Sequence, residues 1–325
     1  MLVPAALAFD WRPSLLVFPT LLAGALAAVL AVYAWRQRPK RAAVPFTVLM
    51  VGLGVWSVAY GFELGFTTRG PMLLLDKVAF VGSVIVPTAW FLLAVEYAGY
   101  DEWRSHWIVG LLAVEPLLTL ALVWTNEAHG LIWASVDVDA SGPVTVLDLT
   151  FGPAYWLNFA YSYLLMTVGI LVLASVVLEA TRVYRRQSVV VLLGTVVPFA
   201  ANAAFNLVPR LNPWPNVDLT TIAFALTGLC YALALFRFRL LDLVPVARDR
   251  LVGQLDDGVV VVGSDGEIRD LNPTAAAALP EGAIGDPVSN TAVADADDGG
   301  SAVYAMLGHE ADLLIVHLRP TTTAI

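Results

Sequence analysis

Seven stretches of the chain stay apolar over the length a helix needs to cross a lipid bilayer, about 20 residues at a rise of about 1.5 Å each. They run approximately over 14–35, 43–66, 72–97, 107–124, 154–180, 188–208 and 219–236. The pattern predicts an all-α seven-helix transmembrane bundle over residues 1–240. Pro87 and Pro198 fall inside the third and sixth stretches, where each removes a backbone hydrogen bond and predicts a kink that neighbouring helices must satisfy. The one long connection on the first side, from about Thr125 to Pro153, contains DVDASGPVTVLDLTFGP. Its β-branched residues, broken by Gly, Pro and Asp, predict a short hairpin over the mouth of the bundle.

The period changes after Leu240. Leu240, Val244, Ala247, Leu251 and Leu255 recur at spacings of four and three, the apolar seam of a helix, so residues 241–257 are expected to be a linker or signalling helix. GVVVVGSDGEIRDLNPTAAAAL then reads as a strand, an Asp265-Gly266 turn, a second strand, and a helix with Asn272 as N-cap and Pro273 at its first position. AVYAMLG and DLLIVHL read as further strands. Residues 258–325 are thus expected to form a small α+β domain.

Composition gives the first 240 residues their solvent. The chain is 58% hydrophobic and 14% charged, against roughly 45–50% and about 25% in a soluble protein, so the lipid bilayer is its first partner. Residues 1–240 carry 14 Lys+Arg against 13 Asp+Glu, whereas residues 241–325 carry 4 against 14. So acidic a tail repels a phosphate backbone, and no nucleic acid is expected as a partner. Scarce lysine, two of 18 cations, beside that acidity is the composition expected of a salt-loving host; equal stability of residues 241–325 in low and molar salt is the result that would refute it.

The cations are also unevenly placed. Arg36, Arg38, Lys40, Arg41, Arg104, Arg182, Arg185, Arg186, Arg237 and Arg239 fall on one side of the seven stretches, and Arg12, Arg69 and Arg210 on the other. The positive-inside rule then predicts a cell membrane protein with its N-terminus outside and its C-terminal domain cytoplasmic. MLVPAALAFD has no basic leader region, so the first helix itself is expected to direct insertion. The single Cys230 lies in an apolar run, which gives no disulfide framework and no thiolate metal site within the chain.

Ionisable groups at membrane depth are costly unless paired or wetted, which makes them functional candidates. With this topology Glu63, Lys77, Asp76, Glu115, Asn158, Asn202 and Asn206 all fall in the outer half of the bundle. They are expected to line a ligand-binding pocket, with Tyr60, Trp56, Trp124 and Trp156 as aromatic walls. The competing expectation is structural: Lys77 pairs with Glu63 or Asp76, and the asparagines bond across helices. His129 and Glu127 make only two ligands with no third in register, too few for zinc, and no metal site is expected. The seventh stretch holds no lysine, which excludes a retinal Schiff base.

GVWSVAYGFEL in helix 2, DKVAFVGSVIVPTAWFLLAVEYAGY in helix 3, EPLLTLALVWTNEAHGLIW across helix 4 and its loop, and RRQSVVVLLGTVVPFAANAAFNL in helix 6 resemble the N-terminal seven-helix region of membrane sensor histidine kinases of archaea and bacteria. LTTIAFALTGLCYALALFRFRLLDLVPVARD and the strand-turn-strand after it resemble the passage from that region into a PAS-like domain. The resemblance implies the input module of a two-component system, which binds a small-molecule or lipid ligand and relays to a cytoplasmic PAS-like domain. It also implies a homodimer, or a separate histidine kinase or other signalling protein, as partner. The phospho-accepting histidine helix and the ATP domain of such kinases do not match any segment here; His309-Glu310 begins like an acceptor box but lacks the Arg and Pro that follow in one. The chain is therefore expected not to be an enzyme. Cofactors of PAS-like domains have no cysteine or helical histidine to hold them here, and none is expected. The rival readings are a ligand-free membrane anchor or dimerisation module, or a truncated kinase relic without catalytic activity.

Overall fold

The computed structural model describes residues 11–40, 42–100, 103, 105–142, 144–179, 182–208, 216–237, 240–241, 258–263, 268–271, 303–306 and 313–318. The chain divides into two compact units, Met1–Leu243 and Val244–Ile325.

In the first unit the seven apolar stretches are helices: α1 (Val17–Arg36), α2 (Ala43–Glu63), α3 (Arg69–Tyr97), α4 (His106–Trp124), α5 (Pro153–Glu179), α6 (Arg182–Leu207) and α7 (Thr220–Arg237). All seven are long and apolar enough to cross a membrane. The shortest, α7, has 18 residues and the longest, α3, has 29, or about 27 and about 44 Å of helix. Pro87, Pro116 and Pro198 all lie inside continuous helices. On α5 the exposed leucines Leu157, Leu164, Leu171 and Leu178 recur every seven residues. One apolar stripe along a helix face is what lipid requires.

Neighbouring helices form a ring in the order α1, α2, α3, α5, α6, α7, which closes where α7 meets α1, while α4 packs outside it against α3 and α5. The tightest seam is between α2 and α3. A side chain on Gly82 would run into the carbonyl oxygen of Gly52 and come within 2.6 Å of the Trp56 backbone nitrogen. Small residues allow helices to approach this closely in lipid, where dispersion contacts replace the hydrophobic effect. The α3–α5 seam uses the same device: Gly169 leaves room for the Trp90 indole, whose N–H donates to the Met166 carbonyl at 3.3 Å. Away from the hairpin, Tyr97 ties α3 to α6, donating to Gln187 Oε1 at 3.0 Å and accepting from Ser188 Oγ at 3.1 Å.

The connection between α4 and α5 folds as the expected hairpin. A 3-10 turn (Asn126–Ala128) leads into β1 (Trp133–Asp139), which pairs antiparallel with β2 (Val146–Phe151) and has a register shift between Trp133 and Ser135. Asn126 fixes the hairpin root. Its Nδ2 donates to the Trp133 carbonyl at 3.0 Å, and its Oδ1 accepts from the Ile132 and Trp133 amides at 2.9 and 3.1 Å. Phe80 of α3 meets the Trp133 ring edge-on at 5.6 Å, and Phe151 stacks on Tyr155 at 3.7 Å, so the hairpin is seated on the helix ends.

In the second unit β3 (Gly258–Gly263), β4 (Ile268–Leu271), β5 (Val303–Met306) and β6 (Leu313–Leu318) form an antiparallel sheet in the order β4-β3-β6-β5. Val259 to Val262 occupy β3, one of its two inner strands, where β-branched residues suit the pleat. The Asp265-Gly266 turn, the helix capped by Asn272, and the linker helix beyond Leu241 lie outside the described residues.

Candidate functional site

A cavity of about 430 Å³ opens inside the helix ring beneath the hairpin. Its described walls come from α2, α3, α5, α6, α7, the hairpin and the segment before α7; no residue of α1 or α4 is among them. The deep wall is mainly apolar and includes Leu49, Val86, Trp90 and Met166, beside Thr195, Thr227 and Tyr231, whose hydroxyls are hydrogen-bonded. Polar groups gather toward the hairpin.

One side of that polar zone is a closed hydrogen-bond network. Tyr163 Oη donates to Asn202 Oδ1 at 2.8 Å, and Asn202 Nδ2 donates to Thr220 Oγ1 at 3.2 Å. Asn206 Nδ2 donates to the Asn202 carbonyl at 2.9 Å, while Asn206 Oδ1 accepts from the Tyr155 hydroxyl. Asp218 Oδ1 accepts from the Thr220 amide at 2.9 Å, and the Asp218 amide donates to Tyr60 Oη at 2.7 Å. α2, α5, α6 and α7 are thereby joined around one end of the cavity. Loss of hydration pushes the Asp218 carboxyl above its ordinary value, although the Thr220 bonds pull it down.

The facing side is not satisfied. Glu63, at the end of α2, is 4% exposed and its Oε2 has no hydrogen-bond partner. Asp76 Oδ2 on α3 is also buried without a partner. Glu63 interacts electrostatically with both Asp76 and Asp218. Trp133, 2% exposed, also lines the cavity and holds an indole N–H that donates to nothing.

Of the residues expected to form a pocket, Glu63, Asp76, Asn158, Asn202, Asn206, Tyr60 and Trp56 line this cavity. Lys77 and Glu115 do not. Lys77 Nζ donates to Glu127 Oε1 at 2.5 Å and sits 5.8 Å from the centre of the Trp124 ring. The expected pairing of Lys77 with Glu63 or Asp76 is therefore replaced by a pair to the loop. The Lys77 hydrogen bond holds the Glu127 carboxyl below its ordinary value. Glu115 accepts from Asn158 Nδ2 at 3.0 and 3.2 Å and from Thr119 Oγ1 at 2.8 Å. Trp124 and Trp156 are half exposed outside the cavity, and Trp90 and Trp133 take their place in its wall.

Asp218, Tyr155, Tyr163 and Thr220 were not among the expected residues. Asp218 precedes the seventh apolar stretch, and its signal was the capping pattern of an Asp two residues before a helical Thr. His129 serves the loop, its Nδ1 accepting from the Leu131 amide at 3.0 Å while its Nε2 meets Thr125 Oγ1 at 3.1 Å. Among the described residues no group of three or more His, Cys, Asp or Glu is placed to hold a metal ion.

Seven apolar helices, six of them in a ring and the other packed against it, define a multi-pass membrane protein. The chain belongs to the family described as the N-terminal 7TM region of histidine kinase, which matches residues 19–245, more than two thirds of its length. It therefore carries a membrane sensor input region, and the matched part is the sensory region of such kinases rather than a catalytic domain. Two proteins named "Putative heme-binding protein" are also similar to the chain over short lengths. One, from Haloquadratum walsbyi, is 49% identical over 49 residues, covering 14% of this chain and 9% of that protein. The other, from Haloarcula marismortui, is 57% identical over 44 residues, covering 14% of this chain and 6% of that protein. The chain thus spans less than a tenth of the length of either of these curated relatives.

Proposed function

We propose that the chain is the ligand-sensing input module of a two-component-type system. A small molecule or membrane-borne ligand enters the cavity beneath the β1–β2 hairpin on the outer face, and its effect passes through α7 and residues 241–257 to a PAS-like unit at 258–325 in the cytoplasm. The observation that carries this reading is the cavity itself: about 430 Å³, within the roughly 300–1,000 Å³ usual for small-molecule sites, and lined by buried polar atoms that no protein group satisfies. A ligand shifts such a module only by binding its two states unequally. The N-out orientation rests on the ten-to-three cation asymmetry of the connections. No histidine or cysteine is among the described lining residues, so the haem in the two relatives' names finds no imidazole or thiolate among them.

The test is a thermal-unfolding screen of the full chain in lipid nanodiscs against a library of cationic, neutral and anionic metabolites, with the cavity-filling variant Ser162→Trp alongside. At least one compound is expected to stabilise the native chain and not the variant. A library without such a compound would favour the ligand-free anchor. Tags at Met1 and at the C-terminus should be reached from opposite sides of sealed vesicles; labelling of both from one side would remove the relay.

A further inference from the structure

We propose that the molecule this cavity takes is an organic cation, a protonated or quaternary amine on an aromatic or compact apolar body. The inference rests on the reading of the cavity as a ligand site and names its chemical class.

Charge comes first. Glu63, Asp76 and Asp218 all line the cavity, and no Lys, Arg or His does among the described residues. A buried carboxyl stays ionised only beside a cation or hydrogen-bond donors, since burying a bare ion costs several kcal/mol and the group otherwise neutralises by holding a proton. Asp218 has its donor in Thr220, but Glu63 Oε2 and Asp76 Oδ2 have none. The nearest protein cation in sequence, Lys77, is engaged by Glu127. A positive charge brought by the ligand supplies what the protein does not and favours the ionised carboxylates, whereas an anion finds no cation among the described lining residues.

Shape and surface then choose an organic cation over a metal ion. Trp56, Tyr60, Phe80, Trp90, Trp133 and Tyr163 contribute aromatic faces or edges to one space, the surface that attracts ammonium groups through ring quadrupoles. A metal ion takes a compact shell of oxygens, and no such grouping is found among the described residues. The unpartnered indole N–H of Trp133, a cavity-lining residue, does not select the cation; it can be met only by an acceptor or ring face on the ligand's body, not by its ammonium group.

Calorimetric titration of the full chain in nanodiscs at neutral pH tests this with four compounds: phenethylamine, benzyltrimethylammonium, 2-phenylethanol and phenylacetate. The two cations are expected to bind at least about tenfold more tightly than the alcohol, with no saturable binding of phenylacetate. Glu63→Gln is expected to remove most of that preference, while its melting temperature without ligand stays level or rises. If that variant fails to fold, Asp76→Asn, at the other unpartnered carboxyl, carries the same expectation about the preference. Equal affinity for phenethylamine and 2-phenylethanol would overturn the cation assignment, as would an unchanged preference in both Glu63→Gln and Asp76→Asn. In either case continued binding that Ser162→Trp blocks would leave the pocket standing. Absence of binding by all four compounds would also overturn the assignment, and the metabolite library would then decide the pocket separately.

Discussion

Two glutamates in the same half of the bundle have opposite environments. Glu115, between α4 and α5, accepts hydrogen bonds from Asn158 and Thr119, so the protein itself completes its coordination. Glu63, between α2 and α3, is buried with an oxygen that nothing in the protein satisfies. Polar groups inside a membrane bundle therefore divide by satisfaction rather than by residue type. A satisfied carboxylate joins helices, whereas an unsatisfied one lining a cavity is the group on which the proposed ligand site rests.

The largest effect should come from breaking the seam that brings Glu63 and Asp76 together. Gly82→Leu drives a side chain into the backbone of α2 and is expected to cost about 1–3 kcal/mol, or more where the helices must separate. It should abolish cation binding while the Asn158–Glu115 contact, on other helices, persists; denaturant unfolding and the calorimetric titration read the two effects.

Glu115→Leu tests the opposite half of the contrast. It leaves the Asn158 amide without its acceptor and should destabilise the bundle by about 1–2 kcal/mol, with cation affinity unchanged. A loss of affinity instead would mean that the two glutamates belong to one site.

The smallest effects are expected from pH, with opposite signs at Glu127 and Asp218. Glu127 is held below its ordinary value, so its pair with Lys77 contributes above the usual carboxylate range and is lost as pH falls through the depressed value. Its exposure keeps the contribution within about 1 kcal/mol. Asp218 is raised, so the native state holds its proton longer and stability falls as pH climbs from the usual carboxylate range to the raised value. Melting temperatures followed across pH in Glu127→Gln and Asp218→Asn should each lose one of these slopes.

Hydropathy made the helices legible because a span must satisfy its own backbone in lipid. It was less informative about where a helix starts outside the lipid. α6 begins at Arg182, six residues before its apolar stretch, because arginine is a good helix former even where it ends a hydrophobic run. The cavity was partly legible. Glu63, Asp76 and the three asparagines were found by their cost at membrane depth, but depth does not say which way a side chain points. Asp76 and Lys77 are consecutive, and about 100° of helical turn separates them, so one faces the ring interior and the other the loop. Asp218 was missed because it lies outside every apolar stretch, although the bundle folds it against Tyr60, 158 positions earlier in the chain.

That long-range contact sets the order in which the cavity can come into being. Translation delivers α2 and α3 to the bilayer first, and the segment that brings Asp218 to Tyr60 arrives with the final span. Until α7 closes against α1 the ring has a gap, and Glu63 and Asp76 border an open cleft. A nascent chain interrupted before position 218 is therefore left without the enclosed cavity, and the junction of α1 and α7 is the clasp that closes it.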